Sequence, residues 1–292
     1  MNKTIQLGKI NSLKIARDTE FGFFLEPSLS KDEILKLNPN DPYEVLLPNA
    51  YITDDMNIND IVEVFVYKDS EDRIVATTDY PKALVDQFAF VEVVDTTSFG
   101  AFVDIGLPKD LLVPRNRQKT PFKVGDKRII RIVEDTQTNR LIGVEKITSF
   151  LTNDTKHLKI NYEVKVMVIA FTPMGYKVVV DDKYEGMIFK NEVFTKLYVG
   201  NVKYGYIKNI RQDGKLDISL QPIGKDNTKD FLENIILDNL KKQDGFISCN
   251  YKSDPQTIQK IFGISKKNFK KTLTILEKKK LINITNNGIQ LI

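Results

Sequence analysis

A cluster of lysines near the end of the chain has the residue type and spacing to bind anions. It consists of Lys266, Lys267, Lys270, Lys271, Lys278, Lys279 and Lys280. In a helix, Lys267, Lys271 and Lys278 would lie on the face opposite an apolar stripe. Such a face can bind the phosphates of a nucleic acid. Because a lysine ammonium acts as a point charge, it predicts weak specificity for particular bases. A solvated lysine surface, or a surface that docks protein, is the alternative interpretation.

Residues that could catalyse a reaction or bind a metal are scarce. The single histidine, His157, lies in a polar segment and is predicted at the surface, and the single cysteine, Cys249, has no histidine nearby in sequence to activate it. The carboxylate pairs Asp54-Asp55 and Asp181-Asp182 are typical of turns. One cysteine and one histidine also exclude a disulfide framework and a Cys- or His-rich metal centre. We expect no enzyme activity, no cofactor and no metal.

The overall composition is typical of a folded, soluble protein. Of the 292 residues, 41% are hydrophobic and 28% are charged, which suffices for genuine cores. No apolar run approaches the roughly 18–20 residues of a membrane span, and the N-terminus lacks the apolar core of a signal peptide. We therefore expect a cytoplasmic protein without a membrane partner.

The net charge of +4 hides a gradient along the chain. Residues 1–82 carry nine Lys and Arg against fifteen Asp and Glu, whereas residues 227–292 carry twelve against six. The net charge is +1 over 83–150 and +3 over 151–226. Such a gradient favours an anionic partner bound mainly by the C-terminal half, although a solvated lysine-rich surface would give the same count.

A pattern of five short β-type runs occurs three times, with a period of about 75 residues. Its pivotal glycines, Gly22, Gly100 and Gly175, lie 78 and 75 residues apart. Five strands in so short a stretch, with a glycine in the second, are typical of a small barrel of the OB type. The fold class predicted is therefore mainly β and multidomain, with tandem five-stranded barrels over 1–82, 83–150 and 151–226.

Residues 227–292 show helical periodicity followed by a hairpin. One helix is predicted over Thr228–Lys242, a second begins at Ser253-Asp254-Pro255 and ends at Gly263, and a third begins at Ser265. Asn286-Asn287-Gly288 then predicts a tight turn between two strands. This order is that of an α+β winged helix-turn-helix domain, in which the third helix contacts nucleic acid.

The middle repeat resembles a known RNA-binding module. Phe99-Gly100-Ala101-Phe102-Val103-Asp104, followed by Val124-Gly125-Asp126 and Arg140-Leu141, is similar to the S1 domain, an OB fold. The third copy matches this motif fairly and the first only weakly. Three S1-like copies followed by a winged helix resemble the bacterial conserved virulence factor B (CvfB) family over essentially the whole chain. The resemblance implies an RNA-binding regulator of gene expression.

The S1 resemblance also implies which residues contact RNA. Phe99 and Phe102 match the aromatic residues that stack on bases, and Arg140 matches a basic residue near strand five; one of the two rings could instead face the core, because strand residues alternate. In the third copy Met174 and Lys177 replace the aromatic pair, which leaves Tyr176 and Phe189 either as substitutes or as packing residues. The RNA-binding residues expected are Phe99, Phe102, Arg115, Arg117, Arg140, Tyr176, Lys177, Phe189, Lys208, Arg211, Lys266, Lys267, Lys270, Lys271 and Lys278.

The sequence departs from the S1 pattern at several of the positions that contact RNA in S1 domains. Pro48 and Pro114 stand where many S1 domains have a histidine, so one base contact is missing. In the first copy Phe21 and Phe24 match the aromatic pair, but its negative charge would repel phosphate, and we expect that copy to be mainly structural or protein-binding. Single-stranded RNA is thus the expected partner. The alternatives are DNA bound by the winged helix, and a scaffold for polymerase or ribosome.

Overall fold

The computed structural model describes residues 4–28, 43–193 and 196–292, without the side chains of residues 225–227. The chain divides into two compact units, Met1–Ser149 and Phe150–Ile292. The strands of the first two repeats lie in the first unit, and those of the third repeat, with the C-terminal helices, lie in the second. The four domain boundaries expected from the sequence stay a prediction.

The first repeat forms a closed five-stranded barrel. Its strands are β1 (Ile10–Thr19), β2 (Gly22–Glu26), β3 (Val45–Pro48), β4 (Ile61–Lys68) and β5 (Ile74–Thr77), in the order β1-β2-β3-β5-β4. Alternate residues such as Leu13 and Ile15 point into the core, as the period of a strand requires. β3 pairs with β5 in parallel and β1 pairs with β4 antiparallel, which completes the circle.

The second repeat has the same strand order with one open seam. Its strands are β6 (Phe88–Thr96), β7 (Gly100–Asp104), β8 (Leu111–Pro114), β9 (Lys127–Asp135) and β10 (Arg140–Val144), in the order β10-β9-β6-β7-β8. Among the described residues, β8 and β10 form no backbone ladder. They nevertheless lie side by side, because a Cβ on Gly143 would stand 2.7 Å from Val113 Cγ2. The barrel therefore closes here by side-chain packing.

The third repeat is again a closed barrel. Its strands are β11 (Glu163–Thr172), β12 (Gly175–Val180), β13 (Tyr184–Phe189), β14 (Val202–Ile210) and β15 (Leu216–Ser219), in the order β11-β12-β13-β15-β14. The parallel pairing of β13 with β15 extends from Gly186 to Ile188. All three repeats therefore place strand five beside strand three, as an OB-type barrel requires.

The glycines that mark the repeat have a common steric function. A Cβ at Gly22, Gly100 or Gly175 would stand 2.1, 2.6 or 2.2 Å from a carbonyl oxygen of the neighbouring third strand. Real Cβ atoms do not approach backbone this closely, so only glycine lets the second and third strands meet here. The repeat period detected in the sequence thus reflects a packing constraint at equivalent positions.

The C-terminal region is a winged helix. Its elements are α1 (Lys225–Lys242), β16 (Phe246–Ile247), α2 (Pro255–Phe262), α3 (Lys266–Lys278), β17 (Ile282–Ile284) and β18 (Ile289–Leu291). The sheet order is β16-β18-β17, and the short strand β16 was not predicted. The predicted caps are confirmed: the Asp254 carboxylate accepts from the amides of Gln256 and Thr257, and Gly263 ends α2 in the left-handed conformation.

The helix that carries the lysines is oriented by its apolar side. Phe269, Leu273 and Leu276 are fully buried, as the sequence predicted. They pack in one cluster with Ile236 and Leu240 of α1. The Ser265 hydroxyl accepts from the Asn268 amide at 3.2 Å and caps the helix. This packing leaves the opposite side of α3 facing solvent.

One lysine at the end of α3 is structural. Lys279 Nζ lies 2.5 Å from a carboxylate oxygen of Glu233, a buried residue of α1. The second oxygen of Glu233, Oε1, has no hydrogen-bond partner among the described residues. The Glu233 carboxylate therefore depends on Lys279 for its charge partner.

We predict that Lys279→Met destabilises the winged helix by about 1–3 kcal/mol. Removing one partner of a buried pair leaves an uncompensated charge, and the partial exposure of Lys279 reduces the usual cost. Hydrogen exchange of the α1 and α3 amides measures the effect. Lys278→Met is the matched control, because Lys278 is exposed and a surface substitution is expected to change stability by less than about 0.5 kcal/mol. Equal protection in the two variants would contradict the assignment.

Candidate nucleic-acid interface

A cleft of about 250 Å³ lies at the seam between β8 and β10. Phe99 and Phe102 line it, together with residues of β8, β10 and the first barrel. Leu111, Leu112, Leu141 and Ile142 make most of its floor apolar. Its volume is a little below the roughly 300–1,000 Å³ of pockets for drug-sized ligands, so it suits a smaller planar group.

The two phenylalanine rings of the second repeat lie together at this cleft. Their centroids are 6.3 Å apart and the ring planes are nearly perpendicular, an edge-to-face pair. Phe99 is 59% exposed and Phe102 is partly buried. A planar ligand can therefore reach the face of Phe99 while Phe102 holds that ring from the side.

Strand alternation alone did not predict that these rings share a surface. β7 begins at Gly100, so Phe99 belongs to the preceding turn and does not follow the alternation. Within β7, Ala101 and Val103 point into the core and Phe102 points outward. The turn is fixed, because the Arg115 amide donates to the Phe99 carbonyl at 2.9 Å. The register shift in the pairing of β6 with β7 lies on β6, between Val93 and Asp95, and not at Gly100.

Charged groups surround the apolar floor of the cleft. Arg140 lines it and forms an ion pair with Asp72 of the first barrel, and the hydrogen bond from Arg140 lowers the pKa of Asp72. Lys109 Nζ donates to the carbonyls of Lys68 and Asp69, and burial lowers the pKa of Lys109. Burial also raises the pKa of Asp110, another lining residue. The cleft thus combines aromatic rings with cations at its edge.

The first barrel supplies part of the cleft wall. Tyr67 and Lys68 of β4 line it. Burial raises the pKa of Tyr67 to about 12, so its hydroxyl stays protonated well into the alkaline range. Tyr67 and Phe65 also join the apolar cluster of the second repeat. Sequence reasoning missed this contribution, because nothing in a single repeat indicates which side of its neighbour it packs against.

Of the two predicted arginines after β8, Arg115 lies close to Phe99 through its backbone. They form a short 3-10 helix, Arg115–Arg117, directly after β8, and both are exposed. The backbone contact between Arg115 and Phe99 places this helix beside the ring. Phe99, Phe102, Arg140 and the start of this helix therefore belong to one region of the second repeat.

In the third repeat the predicted residues lie on the barrel surface, but their charges are already paired. Lys177 contacts Glu185 at 2.9 Å, Arg211 contacts Asp217 at 2.6 Å, and Lys208 pairs with Glu192. The Arg211 guanidinium lies 5.8 Å from the centroid of Phe189, within cation–π range. These cations are less available to phosphate than the sequence suggests.

Tyr176 is held by a residue that the sequence analysis did not single out. Its ring lies 5.3 Å from that of Phe171, and it is partly buried against the barrel core. Phe171, by contrast, is exposed. Tyr198 and Tyr204 are also exposed and were missed. Each has a lysine within two positions in the sequence (Lys196 and Lys203), which is the interleaving of cations and aromatic rings typical of nucleic-acid surfaces.

The lysines of α3 form the second candidate surface. Lys267, Lys270, Lys271 and Lys278 are exposed, and Lys266 is half-buried. Among the described side chains, no carboxylate lies within ion-pair distance of any of the five. This surface therefore differs from the third barrel, where carboxylates neutralise the cations. It has the charge and exposure to contact phosphates.

The sequence of the chain matches known domain families at both ends. Residues 7–79 match the S1 domain model, and residues 234–291 match the CvfB-like winged helix domain. An uncharacterized protein of Bacillus subtilis, YitL, is 31% identical over 280 residues, which are 93% of this chain and 89% of that protein. Conserved virulence factor B of Staphylococcus epidermidis is 27% identical over 271 residues, 89% of this chain and 86% of that protein. The chain belongs to the CvfB family.

A solved structure is also similar to this CvfB family member. The crystal structure of a multidomain protein with nucleic acid binding domains from Streptococcus pneumoniae TIGR4 aligns over 98% of both chains, with 24% identity and a TM-score of 0.39. The S1 match falls on the first repeat, which the motif comparison had ranked weakest. Membership in the CvfB family confirms the resemblance identified from the sequence.

The domain types of the CvfB family indicate nucleic-acid binding. They are not enzyme families. Among the described residues, no group of three or more His, Cys, Asp and Glu side chains could hold a metal ion, and no helix is long and apolar enough to cross a membrane. Cys249 is buried in the winged-helix core, and this burial raises the pKa of its thiol. His157 is exposed, and its Nε2 atom lies 3.0 Å from the Tyr184 hydroxyl oxygen.

Proposed function

We propose that the protein binds single-stranded RNA and thereby regulates gene expression. The observation that carries this proposal is the pair Phe99 and Phe102 at the cleft of the second repeat, with Arg140 at its edge. Every unpaired base offers a flat face to an exposed aromatic ring, and stacking contributes about 1–3 kcal/mol per base. Duplex bases cannot reach such a cleft without being unstacked.

The α3 surface supplies the electrostatic part of this function. Among the described side chains, no carboxylate forms an ion pair with any of its five lysines. These lysines neutralise phosphates without recognising particular bases, so they increase the affinity for a nucleic acid of any sequence. Relatives of the chain are named conserved virulence factor B, and we propose that control of virulence-factor expression through RNA is the regulation concerned.

The same surface favours a second candidate function. A winged helix commonly places its third helix in the major groove of duplex DNA, and α3 has exposed lysines in that position. In this alternative the protein is a DNA-binding regulator and the barrels are accessories. The two functions predict different winners when single-stranded RNA and duplex DNA compete for the protein.

The test is a fluorescence-anisotropy titration of the full chain with a labelled single-stranded RNA, followed by competition. Micromolar or tighter binding that weakens as salt rises is expected, with unlabelled single-stranded RNA competing better than duplex DNA of the same sequence. Stronger competition by duplex DNA would support the second candidate. Failure to bind RNA at low salt would overturn the proposal.

We predict that Lys267→Gln combined with Lys271→Gln reduces the salt dependence of RNA binding. For a single strand, each lysine that no longer neutralises a phosphate lowers the slope of log K against log salt by about 0.7 in magnitude. The double variant is therefore expected to lower the slope by about 1.4. Titrations over a series of salt concentrations give the slope.

The matched control removes two other lysines from the same domain. Lys241 and Lys242, at the end of α1, are also exposed, and Lys241 lies 3.9 Å from Asp238. Lys241→Gln combined with Lys242→Gln makes the same change in net charge and is expected to leave the slope almost unchanged. An equal decrease in both double variants would mean that net charge alone, and not the α3 surface, determines binding.

A further inference from the structure

The ion pair between Arg140 and Asp72 connects the two repeats of the first compact unit at the cleft. The residues are 68 positions apart in the chain, and each side chain is about half exposed. Arg140 is the cation that the S1 resemblance assigns to RNA, and in this structure a carboxylate of the first barrel already contacts it. A carboxylate and a phosphate bind a guanidinium through the same kind of hydrogen bonds, so they compete for one position.

The turn that carries Asp72 is held in a defined conformation. It connects β4 to β5, and the Asp69 carboxylate accepts from the amides of Glu71 and Arg73 at 2.9 and 3.0 Å. The Asp72 amide donates to the Asp69 carbonyl at 3.1 Å. Asp72 therefore does not reach Arg140 as a flexible side chain on a flexible loop; its turn is preorganised next to the cleft.

A second contact fastens this turn to the second repeat. Lys109 Nζ donates to the Lys68 and Asp69 carbonyls at the start of the turn. Because Lys109 and Lys68 also line the cleft, the turn forms part of its rim. The carboxylates of this rim, Asp69, Glu71 and Asp72, are balanced in number by Lys68, Arg73 and Lys109. The contact of Asp72 with Arg140, and not a net charge of the rim, is therefore what a phosphate would have to displace.

We propose that Asp72 occupies the phosphate position on Arg140, so that the first barrel competes with RNA for the cleft and RNA binding releases Asp72. This inference rests on the proposed function and specifies how the cleft is regulated. Because the Arg140–Asp72 pair is exposed to solvent, it is weak enough for a phosphate to displace when bases stack on Phe99 and Phe102. The first barrel is thus an internal competitor, where the sequence analysis expected a structural or protein-binding role.

The test compares Asp72→Asn with Glu71→Gln in RNA titrations of the full chain. Asp72→Asn removes the competing charge and keeps the shape, so RNA binding is expected to tighten about two- to fivefold, which is the upper part of the range for an exposed ion pair. Glu71→Gln removes one negative charge from the same turn, but Glu71 pairs with Arg73 at 3.1 Å rather than with Arg140, and a change below about twofold is expected. In an Arg140→Gln background, Asp72→Asn is expected to give no gain.

The outcomes separate this inference from the proposed function. If the wild-type protein binds RNA and Asp72→Asn gives no gain, weakens binding, or gives the same gain as Glu71→Gln, the internal competition is overturned and RNA binding stands. A loss of affinity in Asp72→Asn would show that Asp72 positions Arg140 for RNA. If no variant binds RNA, the proposed function and this inference both fail.

Discussion

Replacing both Phe99 and Phe102 by alanine is expected to weaken single-stranded RNA binding by about 30-fold or more. Stacking contributes about 1–3 kcal/mol per base, and each 1.4 kcal/mol is a factor of ten in affinity. The rings touch each other edge to face, so the double variant removes both the platform and its support. Because Phe99 is largely exposed and Phe102 only partly buried, the variant is expected to keep its fold. Anisotropy titrations measure the affinity, and circular dichroism confirms folding.

Phe21 provides the matched control for this prediction. It precedes Gly22 in the first barrel as Phe99 precedes Gly100 in the second repeat, and it is also exposed. Phe21→Ala is expected to change RNA affinity less than twofold, because the acidic first barrel does not attract phosphate. If the Phe99 and Phe102 variant bound RNA as tightly as the wild type, the cleft would not be the binding site.

The largest effect on stability is expected from Gly22→Ala, at about 3–5 kcal/mol. Gly22 has φ of +139°, a conformation that residues with a Cβ scarcely adopt, and a Cβ there would stand 2.1 Å from the Leu47 carbonyl oxygen. The clash involves backbone of the adjacent strand, so β2 and β3 would have to separate. Backbone strain and overpacking each cost roughly 1–3 kcal/mol. Hydrogen exchange of the β2 and β3 amides measures the loss.

Gly125→Ala, in the same compact unit, separates the cost of backbone strain from the cost of the steric clash. Gly125 also has a positive φ, +84°, but a Cβ there would have no atom within 4 Å. Only the backbone conformation is then unfavourable, and a cost of about 1–2 kcal/mol is expected. Equal destabilisation by the two substitutions would show that the contact with Leu47 is not the cause.

Most of the local structure could be predicted from the sequence. Five strands were predicted in each of three repeats, and each repeat of the structure has five strands. The features that were predicted correctly each depend on a few neighbouring residues: strand alternation, the caps at Asp254 and Ser265, and the Asn-Gly turn. They can therefore be recognised in the sequence without knowledge of the tertiary structure. The exposed lysine face of α3 follows from the same local periodicity, since Phe269 and Leu273 can be buried only on the opposite side.

The arrangement of the candidate surface could be seen only in the tertiary structure. The side on which Phe99 lies depends on where β7 begins, and the open seam that creates the cleft depends on how β8 meets β10. Periodicity does not report which charges meet across the fold, such as Arg140 with Asp72. The sequence by itself therefore determined the elements and the aromatic and cationic residue types that suit a nucleic acid. Packing between distant segments decided which rings share a surface and which cations are already paired, because those contacts join residues tens of positions apart.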